Sequence, residues 1–169
     1  MPYPEALVQP MRQELTRLGV RELVNAAQVD EAMREAEEGT TLVIINSVCG
    51  CAAANARPAV ALARQSPVQP DRLVTVFAGQ DLDATAQMRS YLPGIPPSSP
   101  FMALFKDGEP VDLIERRHIE GRSASAIAAD LAQAFSRYCG TEERAAGEPD
   151  RPEVAEVERG LPPTFRSIL

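Results

Sequence analysis

The chain has 169 residues, of which 44% are hydrophobic and 24% charged, a composition typical of one globular domain with a sizeable core. Its formal net charge of −7 argues against nucleic-acid binding, which favours a basic patch. No apolar run approaches the roughly 20 residues that span a bilayer, and the first residues do not resemble a secretory signal. Because three cysteines are also too few for a disulfide scaffold, we expect a cytoplasmic protein.

Two helices and a short strand are predicted near the N-terminus. The apolar spacing of Pro10–Leu18 predicts a helix, with the proline at its first position. A second helix is predicted to begin at Asn25, which forms a capping box with Gln28. Residues 20–24 between these helices are predicted to form a short strand.

The middle of the chain contains two apolar runs typical of strands buried on both faces, Leu42–Ile45 and Leu73–Phe77. The helix between them is predicted to end near Arg64. Pro58 lies inside this helix and is expected to kink it, because proline has no N–H to donate.

A further helix, a loop and a hairpin are predicted next. Asp81 or Asp83 is expected to cap a helix that ends near Leu92, and residues 93–100 form a proline-rich loop without helix. The hairpin that follows has strands over residues 101–105 and 111–115, with an Asp-Gly turn between them.

The last predicted helix is capped by Ser123 and has an apolar face at helical spacing. The whole order, β-α-β-α-β-β-α after an extra N-terminal helix, predicts an α/β fold with a central mixed β-sheet flanked by helices. The composition changes after Cys139, so residues 1–139 are assigned to the domain and residues 140–169 to an acidic, proline-containing extension. This extension is either a solvated tail or a segment that docks through its apolar residues, with a short helix near residues 154–159.

The motif Cys49-Gly50-Cys51 carries the predicted chemistry. It lies where a buried strand meets the start of a helix, whose free N–H groups and dipole favour a thiolate. We predict that Cys49 is the nucleophile, with a lowered pKa, and that Cys51 resolves the mixed disulfide. Gly50 is expected to supply an irregular turn, because residues two apart in a regular helix cannot meet. A disulfide in so small a ring is expected to be strained and easily reduced.

Two other interpretations of this motif stay open. The cysteines could be small buried hydrophobic residues, or they could bind a metal or cluster in a redox-sensing module without turnover. A closed metal site needs four ligands, and only Cys139 and His118 remain in the chain. We therefore predict no metal site, although a site shared across a homodimer would escape this argument.

Other residues are candidates for auxiliary roles. The Ser99-Pro100 bond precedes a strand and could be cis, which would leave backbone groups free to bind an extended substrate, or it could be an ordinary trans bond. Arg57 either favours the thiolate or is solvated, and Asn55 has the same two interpretations. Cys139 is either an inert packing residue or a third thiol for redox traffic or for linking a homodimer, while His118 is expected to be structural or exposed.

Several separated motifs resemble the bacilliredoxin family over about residues 3–139. The opening helix fits as well, and the resemblance is specific because these motifs agree with one another. They are Asn46-Ser-Val-Cys-Gly-Cys51, Asn55-Ala-Arg-Pro58, Asp71 to Asp81, Pro96-Pro-Ser-Ser-Pro100 and Lys106-Asp-Gly108.

The resemblance implies a thioredoxin-like fold and a bacterial cytoplasmic enzyme that removes bacillithiol from mixed disulfides on proteins, with disulfide isomerase activity ascribed to some members. It implies that Cys49 takes up the bacillithiol, that Cys51 assists its later removal, and that Pro100 matches the cis proline of the fold. No cofactor is expected, with bacillithiol or another low-molecular-weight thiol as co-substrate. The implied partners are proteins that carry mixed disulfides. Neither nucleic acid nor a membrane is expected as a partner, because of the negative net charge and the lack of a long apolar run. The extension after Cys139 is longer than the family leads us to expect.

Overall fold

The computed structural model describes residues 2–140, so the predictions made for the rest of the extension lie outside the described residues. This part of the chain contains five α-helices and five strands. They are α1 (Glu5–Thr16), β1 (Arg21–Glu22), α2 (Ala26–Glu35), β2 (Thr40–Asn46), α3 (Arg57–Ala63), β3 (Arg72–Phe77), α4 (Leu82–Ser90), β4 (Phe101–Lys106), β5 (Glu109–Ile114) and α5 (Ala124–Tyr138). In residues 2–140, no helix is long and apolar enough to cross a bilayer.

The five strands form one mixed sheet in the order β1-β3-β2-β4-β5. Strand β2 pairs parallel with β3 and antiparallel with β4, and β5 closes an antiparallel hairpin. All seven residues of β2 are buried, which confirms that it is covered on both faces. The α/β fold with a central mixed sheet is therefore confirmed, but the order after α1 is β-α-β-α-β-α-β-β-α, which has one strand and one helix more than the predicted order.

The side chains of β2 pack alternately into two separate hydrophobic cores. Leu42 and Ile44 pack on the face covered by α1, α3 and α5, whereas Val43 and Ile45 pack on the face covered by α2 and α4. This alternation follows from the two-residue period of a strand. The helices thus hold the central strand from both sides and fix the position of the residues that follow it.

Helix α1 begins five residues earlier than predicted. The carbonyl of Pro4 accepts the N–H groups of Leu7 and Val8, so the helix starts before Pro10, which then lies inside it. Pro10 leaves the carbonyl of Ala6 without its helical donor, and because both residues are exposed, water can satisfy that group.

Helix capping follows the prediction at two of three positions. The Asn25 side chain accepts the N–H of Gln28, and the Ser123 hydroxyl accepts the N–H of Ala126. Asp81 occupies the N-cap position directly before α4, but its carboxylate makes no capping bond. It binds the guanidinium of Arg12 instead, at 2.6 Å, because an ion pair was available from α1.

The segment after the cysteines is less regular than a kinked helix. Residues Ala52–Ala56 form a π-helix, and Pro58 follows at the start of α3. Since Pro58 has no N–H, the regular pattern of α-helical bonds cannot run through this point, and the wider π turn lies directly before it. A short 3-10 helix over Arg116–His118 was not predicted.

Candidate active site

Strand β2 delivers Cys49 to the N-terminus of the following helix. The Cys49 carbonyl accepts the N–H groups of Ala52 and Ala53, at 3.1 and 3.2 Å, so this residue takes the capping position. Its sulfur also receives hydrogen bonds from the backbone N–H groups of Cys51 and Ala52 at the start of the helix. The thiol therefore lies where backbone dipoles favour a negative charge.

Opposing influences act on the ionisation of Cys49. Burial of the thiol is the largest single influence and works against the charged form. The hydrogen bond from the Ser47 hydroxyl, the two backbone N–H groups and the positive charge of Arg116 act together in the other direction. Together they outweigh burial, and the pKa of Cys49 lies below its ordinary value.

The second thiol has the opposite tendency. Burial, the negative charge of Cys49 and that of Glu120 raise the pKa of Cys51, and Arg116 offsets only part of this effect. Cys51 also makes a side-chain hydrogen bond with Cys49, so the two sulfurs are in contact. Both cysteines are reduced and half-buried. One sulfur is thus poised as a thiolate, with a protonated thiol beside it.

Gly50 has a regular helical backbone in the dithiol form. It is helical, exposed and free of positive φ, and a Cβ atom placed on it would meet nothing within 4 Å. The irregular turn was expected for a disulfide between Cys49 and Cys51, and it stays a prediction because both cysteines are free in this structure. The sulfurs meet because Cys49 precedes the first helical turn, where its side chain is not held in the helical direction.

Arg57 is buried beneath the segment that leads to Cys49, with 3% of its side chain exposed. Its Nη1 donates to the Ser47 carbonyl at 2.8 Å and to Asn46 Oδ1 at 3.0 Å, and its Nε donates to Glu14 at 2.8 Å. The interpretation of Arg57 as a solvated side chain is therefore wrong. Its contacts are with the backbone and side chains that position the thiol.

The Ser99-Pro100 peptide bond is cis, as predicted, and Pro100 is buried at the start of β4. Arg116 lies against this segment, since its Nη1 donates to the Ser99 carbonyl at 3.2 Å. Its side chain is 42% exposed and forms an ion pair with Glu120 at 3.6 Å. Arg116 therefore connects the cis-proline segment with the two thiols, whose pKa values its charge lowers.

Arg116 and Ser47 were missed in the sequence, although a signal existed for the arginine. Strand β5 runs antiparallel to β4, which runs antiparallel to β2, so β5 and β2 end at the same edge of the sheet. An arginine placed just after β5 is therefore expected near a residue placed just after β2. No comparable pattern distinguishes Ser47 from other serines before a helix.

The remaining candidates lie away from the thiols or have structural contacts. Asn55 Nδ2 donates to the carbonyl of Arg122, which ties the π-helix to the connection between β5 and α5. His118 Nδ1 accepts the N–H of Glu115, which confirms a structural role. Cys139 contacts Thr40, at the end of β2 opposite to the active site. A strand rises about 3.3 Å per residue, so Cys139 lies roughly 20 Å from Cys49. Burial raises the pKa of Cys139, so its thiol is the protonated form.

Metal ligands do not converge in the part of the chain that the structure describes. Residues 2–140 contain no group of three or more histidine, cysteine, aspartate or glutamate side chains able to hold an ion. The arrangement around Cys49 instead supports thiol–disulfide exchange, in which an ionised sulfur attacks a disulfide and a neighbouring thiol completes the reaction.

Comparisons with known proteins agree with this chemistry. A family model described as disulphide isomerase matches residues 3–139. A bacilliredoxin from Salinibacter ruber is 60% identical over 169 residues, which cover 99% of each chain. The chain belongs to the bacilliredoxin family. Bacilliredoxin BH1716 from Halalkalibacterium halodurans is 53% identical and covers 81% of this chain and 94% of its own length.

The fold is confirmed by a solved structure. The X-ray structure of Fasciola hepatica thioredoxin superposes with a TM-score of 0.50 and 22% identity, over 70% of this chain and 99% of that one. The resemblance noted in the sequence is thus confirmed, and as a bacilliredoxin family member with a thioredoxin-like fold the chain is a thiol–disulfide oxidoreductase.

Proposed function

We propose that this enzyme removes bacillithiol from mixed disulfides on protein cysteines, with Cys49 as nucleophile and Cys51 as the resolving thiol. The observation that carries the proposal is the placement of Cys49 at a helix N-terminus, with the Ser47 hydroxyl and two backbone N–H groups at its sulfur. The bacilliredoxin name of the Salinibacter ruber relative supports bacillithiol as the thiol removed. We place the reaction in a reducing cytoplasm, where such a thiol pair stays available.

The exchange proceeds in two balanced steps. The Cys49 thiolate attacks the bacillithiol sulfur, a Cys49–bacillithiol disulfide forms, and the client cysteine leaves as a thiolate that takes up a proton from water. Cys51 then loses its proton and attacks Cys49, so an intramolecular disulfide forms and bacillithiol leaves as the thiolate. One dithiol reductant, or two further molecules of a low-molecular-weight thiol, return the pair to the reduced state by donating two electrons, and they leave as a disulfide.

The surroundings of the thiols support binding of an extended segment that carries the mixed disulfide. The cis Ser99-Pro100 bond and its neighbour Arg116 lie beside the nucleophile. We assign Ser99 and Pro100 to substrate binding, with the backbone of this segment held ready for hydrogen bonds to a client chain. The Arg116 guanidinium adds a positive charge that favours an anionic co-substrate.

The test compares two client proteins that differ only in the attached thiol. A model protein carrying a mixed disulfide to bacillithiol, and the same protein carrying glutathione, are incubated with the enzyme, and the released thiol is measured over time. We expect faster release of bacillithiol, and no enzymatic release of either thiol by Cys49→Ser. Equal or slower release of bacillithiol would overturn the assignment of this co-substrate.

Disulfide isomerisation is a second candidate activity, favoured by the printed description of the matching family model. It requires that Cys49 attack a client disulfide and that the displaced client thiolate attack elsewhere before Cys51 reacts. A protein with scrambled disulfides tests it. Recovery of native pairing by Cys51→Ser, in which resolution is blocked, supports isomerisation, and its absence contradicts it.

A further inference from the structure

Arg57 is a buried cation that the exchange reaction does not use directly. It lies below the segment between β2 and Cys49, and its guanidinium bonds to three different groups there. These are the Glu14 carboxylate, the Asn46 side chain and the Ser47 carbonyl. A buried guanidinium with this many partners restricts the conformation of each one.

The same segment supplies the donor that stabilises the thiolate. Asn46 Oδ1 accepts the Ser47 N–H at 2.8 Å as well as the Arg57 bond, so this amide is fixed from two sides. The Ser47 hydroxyl accepts the Cys49 N–H at 3.3 Å and donates to the Cys49 sulfur. The position of this hydroxyl therefore depends on the backbone that Arg57 binds.

Helix α1 completes the arrangement without reaching the sulfurs. Glu14 holds the guanidinium, and the Met11 carbonyl accepts Asn46 Nδ2 at 3.3 Å. Two positions of α1, one turn apart, thus hold the underside of the active-site segment.

We propose that Arg57, held by Glu14 of α1, is a positioning residue that sets the reactivity of Cys49 by fixing the Ser47 hydroxyl at its sulfur. Without the guanidinium, the Ser47 carbonyl and the Asn46 amide lose a buried donor, and the segment relaxes to find another partner. The hydroxyl then leaves the sulfur, and the thiolate loses one of its hydrogen bonds. This inference rests on thiol–disulfide exchange at Cys49 and not on which thiol the enzyme removes.

The test measures the pH dependence of Cys49 itself. Iodoacetamide modification is followed from pH 5 to pH 10 with mass spectrometry that distinguishes the three cysteines. The titratable and charged groups that act on the Cys49 sulfur are Cys51 and Arg116, with Glu120 acting on Cys51, and all three stay unchanged. Because Arg57→Gln also removes a positive charge, the rise in the midpoint reports the lost hydroxyl contact when it is absent in a background that already carries Ser47→Ala.

Arg57→Gln is expected to raise the midpoint and to slow modification at pH 7 about three- to tenfold, the equivalent of roughly 0.7–1.4 kcal/mol. Ser47→Ala is expected to do the same. The double variant Ser47→Ala with Arg57→Gln should show no further loss, because both changes remove one contact. An unchanged midpoint in folded Arg57→Gln, or full additivity in the double variant, would overturn the proposal.

Arg12→Gln is the matched control. Arg12 is also a buried arginine, 6% exposed, and it belongs to α1, but its partners are Glu5, Glu22 and Asp81. Its loss should lower the melting temperature and leave the Cys49 midpoint in place. A midpoint shift equal to that of Arg57→Gln would show that general destabilisation, and not positioning, explains the effect.

A milder variant keeps the test decisive if Arg57→Gln does not fold. Glu14→Gln retains the shape of the Arg57 partner and removes its charge, and Glu14 is partly exposed, so the fold should tolerate it. We expect a smaller rise of the Cys49 midpoint in the same direction. A midpoint identical to that of the unaltered enzyme would contradict the proposal.

Discussion

The two sulfurs of the site lie two residues apart, yet their surroundings favour opposite protonation states. Burial disfavours the charged form of each thiol. Cys49 receives hydrogen bonds from Ser47 and from the helix N-terminus, which overcome that penalty, whereas the charge on Cys49 adds to the penalty at Cys51. Directed hydrogen bonds therefore decide which of two adjacent thiols is the nucleophile.

The pH dependence of alkylation follows from these directions. Because the pKa of Cys49 is lowered and that of Cys51 raised, Cys49 should be modified at a lower pH than an ordinary exposed cysteine, and Cys51 at a higher pH. Between the two midpoints the enzyme should carry one modified cysteine, as mass spectrometry would show. Equal midpoints for the two cysteines would contradict this assignment.

Arg116→Gln tests the charge beside the site. We expect the variant to lose about three- to fivefold of its preference for a mixed disulfide of negatively charged glutathione over one of positively charged cysteamine, since one charge contact near water is worth about 1 kcal/mol. The ratio of the two rates is used because a change in the pKa of Cys49 affects both rates alike. Arg117→Gln, at a neighbouring position with 76% of its side chain exposed, is the control and should leave the ratio unchanged. If Arg116→Gln also kept the ratio, Arg116 would have no part in co-substrate recognition.

At this scale the sequence predicted the thiol pair but not the groups that separate the two pKa values. The strand-to-helix position of Cys49 is visible in the pattern of residues. The Ser47 contact depends on the side-chain direction in one short turn, which residue types alone do not determine. Arg57 was considered in the sequence, but its burial depends on how α1 packs against the sheet.

Three strands bring the residues of the active site to the same edge of the sheet. Strands β2 and β5 finish there, and β4 begins there, so Cys49, Arg116 and Pro100 meet from three separate segments. The hairpin that joins β4 to β5 sets the register between these strands, and so the position of Arg116 relative to Pro100. Its turn has positive φ at both central residues, Asp107 and Gly108, as a tight type I′ turn requires.

Gly108→Ala tests this hairpin. A left-handed residue with a Cβ atom costs about 1–2 kcal/mol, and since Glu37 lies 3.6 Å from the new atom, crowding adds little. Urea unfolding should show that loss of stability. Gly50→Ala is the contrasting variant, because Gly50 is helical with open space around it, and its stability should stay equal or rise. A loss at Gly50 as large as that at Gly108 would contradict the backbone description.

Strands were predicted more accurately than helix starts, and the reason is physical. Continuous apolar runs rich in β-branched residues, such as residues 42–45, have few alternatives to a buried strand. A helix start depends on competition among nearby caps, and at α1 the carbonyl of Pro4 nucleated the helix before Pro10. The π-helix before Pro58 and the 3-10 helix after β5 have no periodic apolar signal and were missed.

At the scale of the molecule, residues up to Cys139 form both hydrophobic cores and the active site within the described residues 2–140. The two hydrophobic clusters extend from Leu15 to Cys139, and the family model ends at residue 139. The assignment of residues 140–169 to a separate extension stays a prediction. The relative from Halalkalibacterium halodurans matches 81% of this chain over 94% of its own length.

Ending the chain after Gly140 tests that division. Since the family model ends at residue 139 and the Halalkalibacterium halodurans relative matches 81% of this chain over 94% of its own length, the shortened protein should unfold within a few degrees of the full chain. It should also reduce mixed disulfides at an unchanged rate. Loss of the cooperative thermal transition, followed by circular dichroism, would show that the extension is part of the domain.

The central claim is that Cys49 forms the mixed disulfide and Cys51 resolves it. The most direct measurement is mass spectrometry of each single variant after one turnover with a bacillithiol-modified client protein. Cys51→Ser should accumulate a disulfide between Cys49 and bacillithiol, and Cys49→Ser should accumulate none. Trapping in Cys49→Ser but not in Cys51→Ser would reverse the roles of the two thiols and contradict the account.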